Sequence, residues 1–594
     1  MPVPVSPLPR RRPALLPLAV ALALSLAACA PREPAVDVEG IAAVQGSGER
    51  SAFEGRRARI EGVVTLRFED GNGGVFVQSL VPDADPETAE GLFLLPAPGQ
   101  PELRVGQHLR ATGTVAEAGP GEASLTTLAD AEVRVLGEAP LPAPVVLDAP
   151  PPRWEALEGM RVRIEAPLTV TGNEALAQYG ELRLAFGGRL MTPTEVVPPG
   201  VPALARQGEN QARMIRLDDA RAAQNPDPIA WLPEPLSPAA PLRAGSVLHG
   251  VAGVVDQRFG AYRVQAEAEV ERIEQAPRPA APQVAGSLRI AGMNLLNLFN
   301  GDGMGGGFPT ARGAASAEDY QRQRAKLVAV VQGLDPDIIA AQEMENDGFG
   351  PESSARQFAA ALEAAQPGAR WQVVAPEVAP GSDQIAVALL YRADRVQAVG
   401  RPALKLDGPF QQGSRPPLAQ SFRQGRGPVF TVVSLHFKSK GGCGEAQGAD
   451  ANQGDGQACF NAQRVESARV LADWIASDPT ASGSDRVALV GDFNAYGMED
   501  PIRLLRERGF IDPWQGEESH SFVFDGQAGR LDHALLSPSL HAALRGKAKW
   551  AVNSDESVAF AYDGALGRAE ETPTPWRSSD HDPLLLGFDL EAAR

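Results

Sequence analysis

Val429-Phe-Thr-Val-Val-Ser-Leu-His-Phe-Lys-Ser-Lys440 is an apolar, β-branched run that ends on a histidine followed by two lysines. Such a run reads as a buried strand that delivers His436 to its C-terminal end. The pattern recurs on both sides of it. Ser287 to Met293 precedes Asn294, Asp337 to Gln342 precedes Glu343, and Val487-Ala-Leu-Val490 precedes Asp492 and Asn494. Asp532 lies in the apolar run Leu531 to Leu536, and Asp580-His581 precedes the last one. Ala386 to Tyr391 is a further buried strand. Between the first two runs, Ser316 with Asp319 forms a capping box for a helix that carries Tyr320, Leu327 and Val331 on one stripe and can end at Gly333. Strands alternating with helices predict a layered α/β domain over residues 285–594. Its polar strand ends can converge on one rim of a sheet, and five of the chain's seven histidines, His436 and His581 among them, lie in the last 160 residues.

Two Pro-rich stretches, Pro140 to Pro152 and Ala276 to Pro282, read as semi-rigid linkers. They set off two earlier blocks, 35–139 and 153–275. Glu54-Gly-Arg-Arg-Ala-Arg-Ile-Glu61 in the first is echoed by Glu158-Gly-Met-Arg-Val-Arg-Ile-Glu165 in the second, and Arg104 to Leu109 by Arg243 to Leu248. This is the mark of a duplicated β module. Short alternating runs such as Ala58 to Thr65, spaced by Gly and Asp, fit small OB-like β-barrels. Phe68 and Phe76 could stack single strands, but the first block has no lysine, which favours a scaffolding role. Gln211 to Ile229, with Asp218 and Asp219, reads as an ordered loop.

The chain has 594 residues, a net charge of −19, 43% hydrophobic and 22% charged residues, which argues for several globular domains and against wholesale disorder or a multi-span membrane protein. Arg10 to Arg12 precede an apolar run, Ala14 to Ala28, too short to span a bilayer. Closing on Leu26-Ala-Ala-Cys29, it looks like a bacterial lipoprotein signal over residues 1–28 with Cys29 as the lipidated residue. Its removal deletes three arginines and no acid, taking the charge to −22. An export signal predicts the cell envelope, the outer membrane or the medium, and an oxidising compartment in which Cys443 and Cys459 pair. Asp450 and Asp455 in that loop read as part of a solvated loop, with Ca²⁺ binding as the alternative. So acidic a chain cannot hold a polyanion by its overall field, which leaves bound metal and a local basic patch. Lysine occurs only six times, and two of the six, Lys438 and Lys440, follow His436; Arg415, Arg423 and Arg426 lie just upstream.

Asn294-Leu-Leu-Asn297-Leu-Phe299, Gln342-Glu343-Met-Glu345-Asn346, Leu389-Leu-Tyr-Arg392, Ser434-Leu-His436-Phe-Lys438-Ser-Lys440, Gly491-Asp492-Phe-Asn494, Arg530-Leu-Asp532-His533 and Ser579-Asp580-His581-Asp582 follow one another in the order used by the endonuclease/exonuclease/phosphatase superfamily. The C-terminal block resembles that superfamily, and within it the bacterial extracellular nucleases of the ExeM and NucH type. The resemblance implies a four-layer α/β sandwich of the DNase I kind behind the two barrels. It implies Glu343 as the carboxylate ligand of Mg²⁺ or Mn²⁺, with Asn294 and Asp580 beside it. Asp492 would orient or deprotonate water, and Asn494 would donate to the phosphate, its spacing from Asp492 putting both side chains on one side of an extended backbone. His581, oriented by Asp532 or Asp383, and His436 would serve the phosphate and the leaving group. Arg415, Lys438 and Lys440 would grip neighbouring phosphates, while His533 is expected to be a surface residue.

The function expected is a surface-anchored or extracellular metal-dependent nuclease that hydrolyses DNA, and RNA as an alternative, with little sequence specificity. A phosphatase or phospholipid-type diesterase of the same superfamily, and an inactive lipid-anchored binding protein, are the rival readings. No protein partner is evident in the sequence.

Overall fold

The computed structural model describes residues 36–68, 74–119, 124–411, 415–564 and 573–590. The signal region and Cys29 lie outside the described residues.

Between Val38 and Glu138 six strands form one sheet, and Arg57–Arg67 pairs with both Val75–Gln78 and Gln107–Ala118, so that five strands close into a barrel. Ile60, Val64, Val77, Leu92 and Leu109 fill it. Closure removes the exposed strand edges that an open sheet of this size would carry. The second block is a nine-stranded mixed sheet that curls round Leu184, Ile215, Trp231 and Val264, with no closing pair among the described residues. The expected linkers are structural. Val145–Leu147 is an edge strand parallel to Arg161–Ile164, and the Ala276–Pro282 stretch is pinned by Trp550 Nε1, which donates to the Pro279 carbonyl at 2.9 Å.

The duplicated motif has diverged in use. Glu54 is exposed, whereas its counterpart Glu158 is buried against the first barrel and accepts from Thr126 N at 3.0 Å and Gln45 Nε2 at 3.1 Å. A Cβ on Gly91 would lie 2.0 Å from the Gly159 carbonyl carbon, so glycine at that crossing lets the two modules touch backbone to backbone. Phe68 and Phe76 are buried in the same interface, with the Arg258 guanidinium 4.0 Å over the Phe68 ring. They are scaffold, not a stacking surface.

The C-terminal block is four layers deep. One sheet runs in the order Trp371–Val373, Ile385–Arg392, Ile338–Glu345, Leu288–Leu298, Leu584–Phe588, Leu544–Lys549. The other runs Gln397–Leu404, Arg415–Arg423, Val429–His436, Val487–Asp492, Asp532–Leu536. Each has a central parallel pair flanked by antiparallel strands. Ile290, Ile338, Leu389, Phe430, Val432, Ala488, Val490 and Leu584 pack between the sheets. Helices Ala317–Leu334 and Ser354–Ala365 cover the outside of the first sheet, and Asn461–Ala476 and Asp500–Glu507 the outside of the second. Ser316 Oγ caps the first helix from Asp319 N. That helix runs one residue past Gly333, where a Cβ would meet the Trp550 ring at 2.5 Å so that glycine serves packing rather than termination, and it stops at Asp335 with φ 44°. Among the described residues no helix is long and apolar enough to cross a membrane.

Candidate active site

Strand alternation builds the site. Residues 430, 432, 434 and 436 share one parity, as do 488, 490 and 492, and the first members of each series lie in the core between the sheets. The last member of each series is therefore delivered to the rim of that core. Arg415, His436, Asp492 and Asp532 are register partners across four adjacent strands, so they form one row along that rim. Asn294 ends the matching series on the facing sheet and donates from Nδ2 to Asp492 Oδ2 at 3.3 Å and to Glu343 Oε1 at 3.2 Å.

Glu343 breaks the alternation. By parity it would face the outer helices, but its φ of 60° lies in the left-handed region, where the ladder to Ile385–Arg392 slips register. The irregularity turns its carboxylate toward the cleft, where the Asn297 N–H also donates to it at 3.1 Å. A non-glycine residue held there stores strain of about 1–3 kcal/mol, maintained by the sheet around it. Burial raises the Glu343 pKa, and the neighbouring Asp580 adds to the effect.

His581 Nδ1 lies 2.7 Å from Asp532 Oδ2, and its Nε2 is 3.9 Å from Asp492 Oδ2. Burial opposes a charge on His581, but Asp532, Asp580 and Asp492 together outweigh it and hold its pKa well above the ordinary value. Asp532, correspondingly, stays below the usual carboxylate range against its own burial. Burial pushes Asp492 up to about 7 in spite of His581. His436 Nε2 is 3.4 Å from the same Asp492 oxygen, and its Nδ1 has no hydrogen-bond partner. Burial, then the Arg415 charge, drive the His436 pKa well below 6.5, so this imidazole is neutral. One cationic and one neutral histidine thus flank a single buried aspartate.

Asp383 is not the partner of His581; it lies 3.8 Å from Arg415 Nη1 and 3.9 Å from Arg312 Nη1. Asn294, expected beside the metal, accepts from Leu296 N through Oδ1 at 3.0 Å and turns its N–H groups to the carboxylates. Asn494 lines the cleft, but not through extended backbone. The strand ends at Asp492, and Asn494 sits at φ 47° with Nδ2 donating to the Phe437 carbonyl at 3.3 Å. Arg415 is largely buried in the lining of the cleft, donating from Nη2 to the Phe437 carbonyl at 3.1 Å. Lys440 is buried on Glu499 at 2.7 Å, with burial lowering its pKa to about 8, so it is not a free phosphate grip. Lys438 places Nζ 4.5 Å over the Phe460 ring. Arg423 lies at the far end of its strand, roughly 26 Å from Arg415 at about 3.3 Å per residue, with exposed Arg426 just beyond it. His533 is buried rather than on the surface. Its ring donates to the Ala495 carbonyl at 2.8 Å, and burial lowers its pKa to about 4.

Cys443 and Cys459 are disulfide-bonded. Asp450 accepts from Gln463 N at the start of helix Asn461–Ala476, and Asp455 from Gln457, so both carboxylates are taken up by local hydrogen bonds. Among the described residues no group of three or more His, Cys, Asp and Glu side chains is placed to hold a metal ion.

Several functional residues were missed in the sequence. Asn553 accepts from Ser578 N and Ser579 N and donates to the His581 carbonyl at 2.6 Å, fixing the loop that presents Asp580 and His581. Phe522 packs its ring 4.6 Å from that of His581. The second module also contributes to the site. The cleft, about 760 Å³, is walled on one side by Thr192, Pro193, Leu204 and Gln207. Glu195 ties this wall down, its Oε2 accepting from Gly497 N at 3.0 Å and its Oε1 lying 2.5 Å from Arg530 Nε.

The four-layer domain gathers two histidines and several carboxylates from its sheet rim in one cleft. Residues 295–581 match the profile of the Endonuclease/Exonuclease/phosphatase family, whose members are hydrolases of phosphodiesters or phosphate esters and generally use divalent metal ions. Residues 152–275 match a Domain of unknown function (DUF8508). No curated protein matches the chain.

Similar solved structures include an endonuclease/exonuclease/phosphatase from Bacteroides vulgatus, 15% identical, covering 51% of this chain and 98% of that one with a TM-score of 0.33. A Bacteroides thetaiotaomicron mannosyl-6-phosphatase is 19% identical over 50% of this chain and 98% of its own, with a TM-score of 0.31. D. rerio TDP2 complexed with a single-strand DNA product is 13% identical over 50% and 97%, with a TM-score of 0.32.

Proposed function

We propose that the chain is an exported nuclease, anchored through Cys29 at the cell envelope, that hydrolyses phosphodiester bonds of DNA, with RNA open to the same chemistry. The observation that carries the hydrolytic reading is the arrangement of cationic His581, neutral His436 and Asp492 around one rim, with Glu343 and Asp580 in the same cleft. The cleft is far larger than one phosphate requires and continues past the site to Leu204, Ser439 and Phe524. That extent favours a polymeric ester over a small phosphomonoester.

The donor set suits a hard cation. Glu343 is desolvated, strained into the cleft and beside Asp580, and its raised pKa is what an unneutralised carboxylate pair produces. Glu343, with Asp580, would hold Mg²⁺ or Mn²⁺, whose charge would neutralise nonbridging phosphate oxygens. One or two carboxylates with water completing the shell is the usual Mg²⁺ arrangement, and it does not need a dense ligand cluster.

The chain's own residues then divide the work. His581 donates from Nε2 to the phosphate, its charge maintained by Asp532 through Nδ1. Asp492, with a pKa near neutrality, accepts a proton from the attacking water. His436 lines the same cleft as a neutral imidazole and can hydrogen-bond the phosphate there as a second contact. Asn294 clasps Glu343 and Asp492 in their relative positions. The test is a comparison of substrates. The purified full chain with Mn²⁺ should turn over single-stranded DNA with kcat/KM at least about a hundredfold above that for p-nitrophenyl phosphate. Preference for the monoester would support a phosphatase instead.

A further inference from the structure

Phe522–Phe524 and Gln527–Gly529 form a two-stranded hairpin beside the active site. Its turn, Asp525-Gly526, has φ of 53° and 74°, the conformation an Asp-Gly hairpin favours. A hairpin of this size does not stand alone in water. It is held by the second module. Arg183 Nη1 pairs with Asp525 at 2.6 Å, Asn210 Nδ2 donates to Gln527 Oε1 at 2.6 Å, and Thr192 N donates to the Ala528 carbonyl at 2.8 Å.

The hairpin carries a file of rings out of the site. The His581 and Phe522 rings lie 4.6 Å apart at 30°, and Phe522 and Phe524 lie 6.5 Å apart at 11°. Phe524 is 67% exposed and lines the cleft, as does Leu204, 52% exposed, on the second module's helix Val201–Arg213. An aromatic face fixed by polar contacts on its turn and its return strand, yet left open to solvent, is poised to bind a flat apolar surface.

We propose that Phe524 is a stacking platform for an unpaired nucleobase next to the scissile phosphate, so that the cleft takes single-stranded polynucleotide. This rests on the nuclease reading above. The physical grounds are three. His436, Asp492 and His581 are buried at the base of the cleft, so a phosphate reaches them through the cleft that Phe524 and Leu204 also line. In a duplex each base face is covered by its neighbours, and both strands would have to enter together. An unpaired base swings its face free, and stacking on an aromatic ring accepts any base, which matches low sequence specificity.

The experiment compares Phe524→Ala and Phe524→Trp with the wild-type full chain in Mn²⁺. Substrates are a single-stranded oligonucleotide, the same strand with every base replaced by an abasic tetrahydrofuran unit, and the duplex. Phe524→Ala should lower kcat/KM on the base-bearing strand by about 5- to 150-fold, the range one base–aromatic stack supplies. It should leave the abasic strand within about twofold, and Phe524→Trp should retain the wild-type value. The wild type should cut the duplex at least about tenfold more slowly than the single strand. Equal activity of Phe524→Ala on the base-bearing strand, equal losses on both single strands, or preference for the duplex would overturn the platform while leaving the nuclease reading intact. A wild type that cuts none of the three would overturn both.

Discussion

Replacing Asp532 by Asn removes the charge that holds His581 while keeping the shape of the side chain. The two residues meet at 2.7 Å with both side chains almost fully buried, so the bond is charge-assisted and shielded from water. A hydrogen bond to a charged group contributes about 1.5–3 kcal/mol, which converts to a loss of about 10- to 150-fold in kcat if the charge acts in the transition state. The variant also changes the pH profile, in a direction fixed by the sign of the shift. His581 has a folded pKa well above 6.5, so its proton is retained at neutral pH and lost only as pH rises through that higher value. Without Asp532 only Asp580 and Asp492 oppose the burial of the ring, and the proton leaves at lower pH. The alkaline limb of kcat should therefore move toward neutrality. The assay is steady-state hydrolysis of single-stranded DNA across the pH range, with near-UV circular dichroism confirming the fold. A kcat within twofold of wild type and an unmoved alkaline limb would refute the assignment of Asp532 and His581 as a working pair.

Glu195→Ala leaves buried Arg530 with only Asp512, and should destabilise by about 3–5 kcal/mol in urea titration and lower kcat/KM; an unchanged midpoint would mean the second module is merely appended. Glu155 is raised to about 7, and Glu158 well above 4.5, chiefly by burial at the module interface. Because both folded values exceed the unfolded ones, the stability they confer is complete below about 4.3, and the share from Glu155 falls as pH rises through about 7. The thermal midpoint should thus drop as pH rises through about 7 in wild type and drop less in Glu155→Gln, and equal slopes would contradict this. Reducing the Cys443–Cys459 bridge should remove about 3 kcal/mol of stability by the loop-entropy argument, and lower kcat/KM because Cys443, Gly456 and Ala458 line the cleft. A reduced chain with unaltered melting and activity would argue against it.

The α/β layers and the polar rim were legible because strand parity is local. Each apolar run carries its own terminal residue to the same edge, and His436, Asp492 and Asp532 needed no knowledge of the partner strands. The roles of the cations were not legible. Lys440 and Arg415 look like free positive charge in the sequence, but Glu499 and the Phe437 carbonyl reach them from segments distant in the chain. His533 alternates with Asp532, and its burial comes from the Phe493 ring and the Ala495 carbonyl rather than from its own strand. Phe522-Val-Phe524-Asp-Gly526 did carry a local signal, the Asp-Gly turn after an alternating run, which identifies a hairpin. What no local pattern could supply is that the second module clamps this hairpin against His581. The two Pro-rich stretches misled for a related reason: Val145–Leu147 becomes a strand only because Arg161–Ile164 offers it an edge.

The central claim is that this cleft hydrolyses nucleic-acid phosphodiesters with the aid of a divalent cation. Its most direct measurement is the release of acid-soluble nucleotides from internally labelled single-stranded DNA by the purified full chain, in Mg²⁺, in Mn²⁺ and in EDTA, alongside His581→Ala. The account predicts release by wild type with either cation, none in EDTA, and none above background from His581→Ala. No release by wild type in either cation, or undiminished release in EDTA, would contradict it.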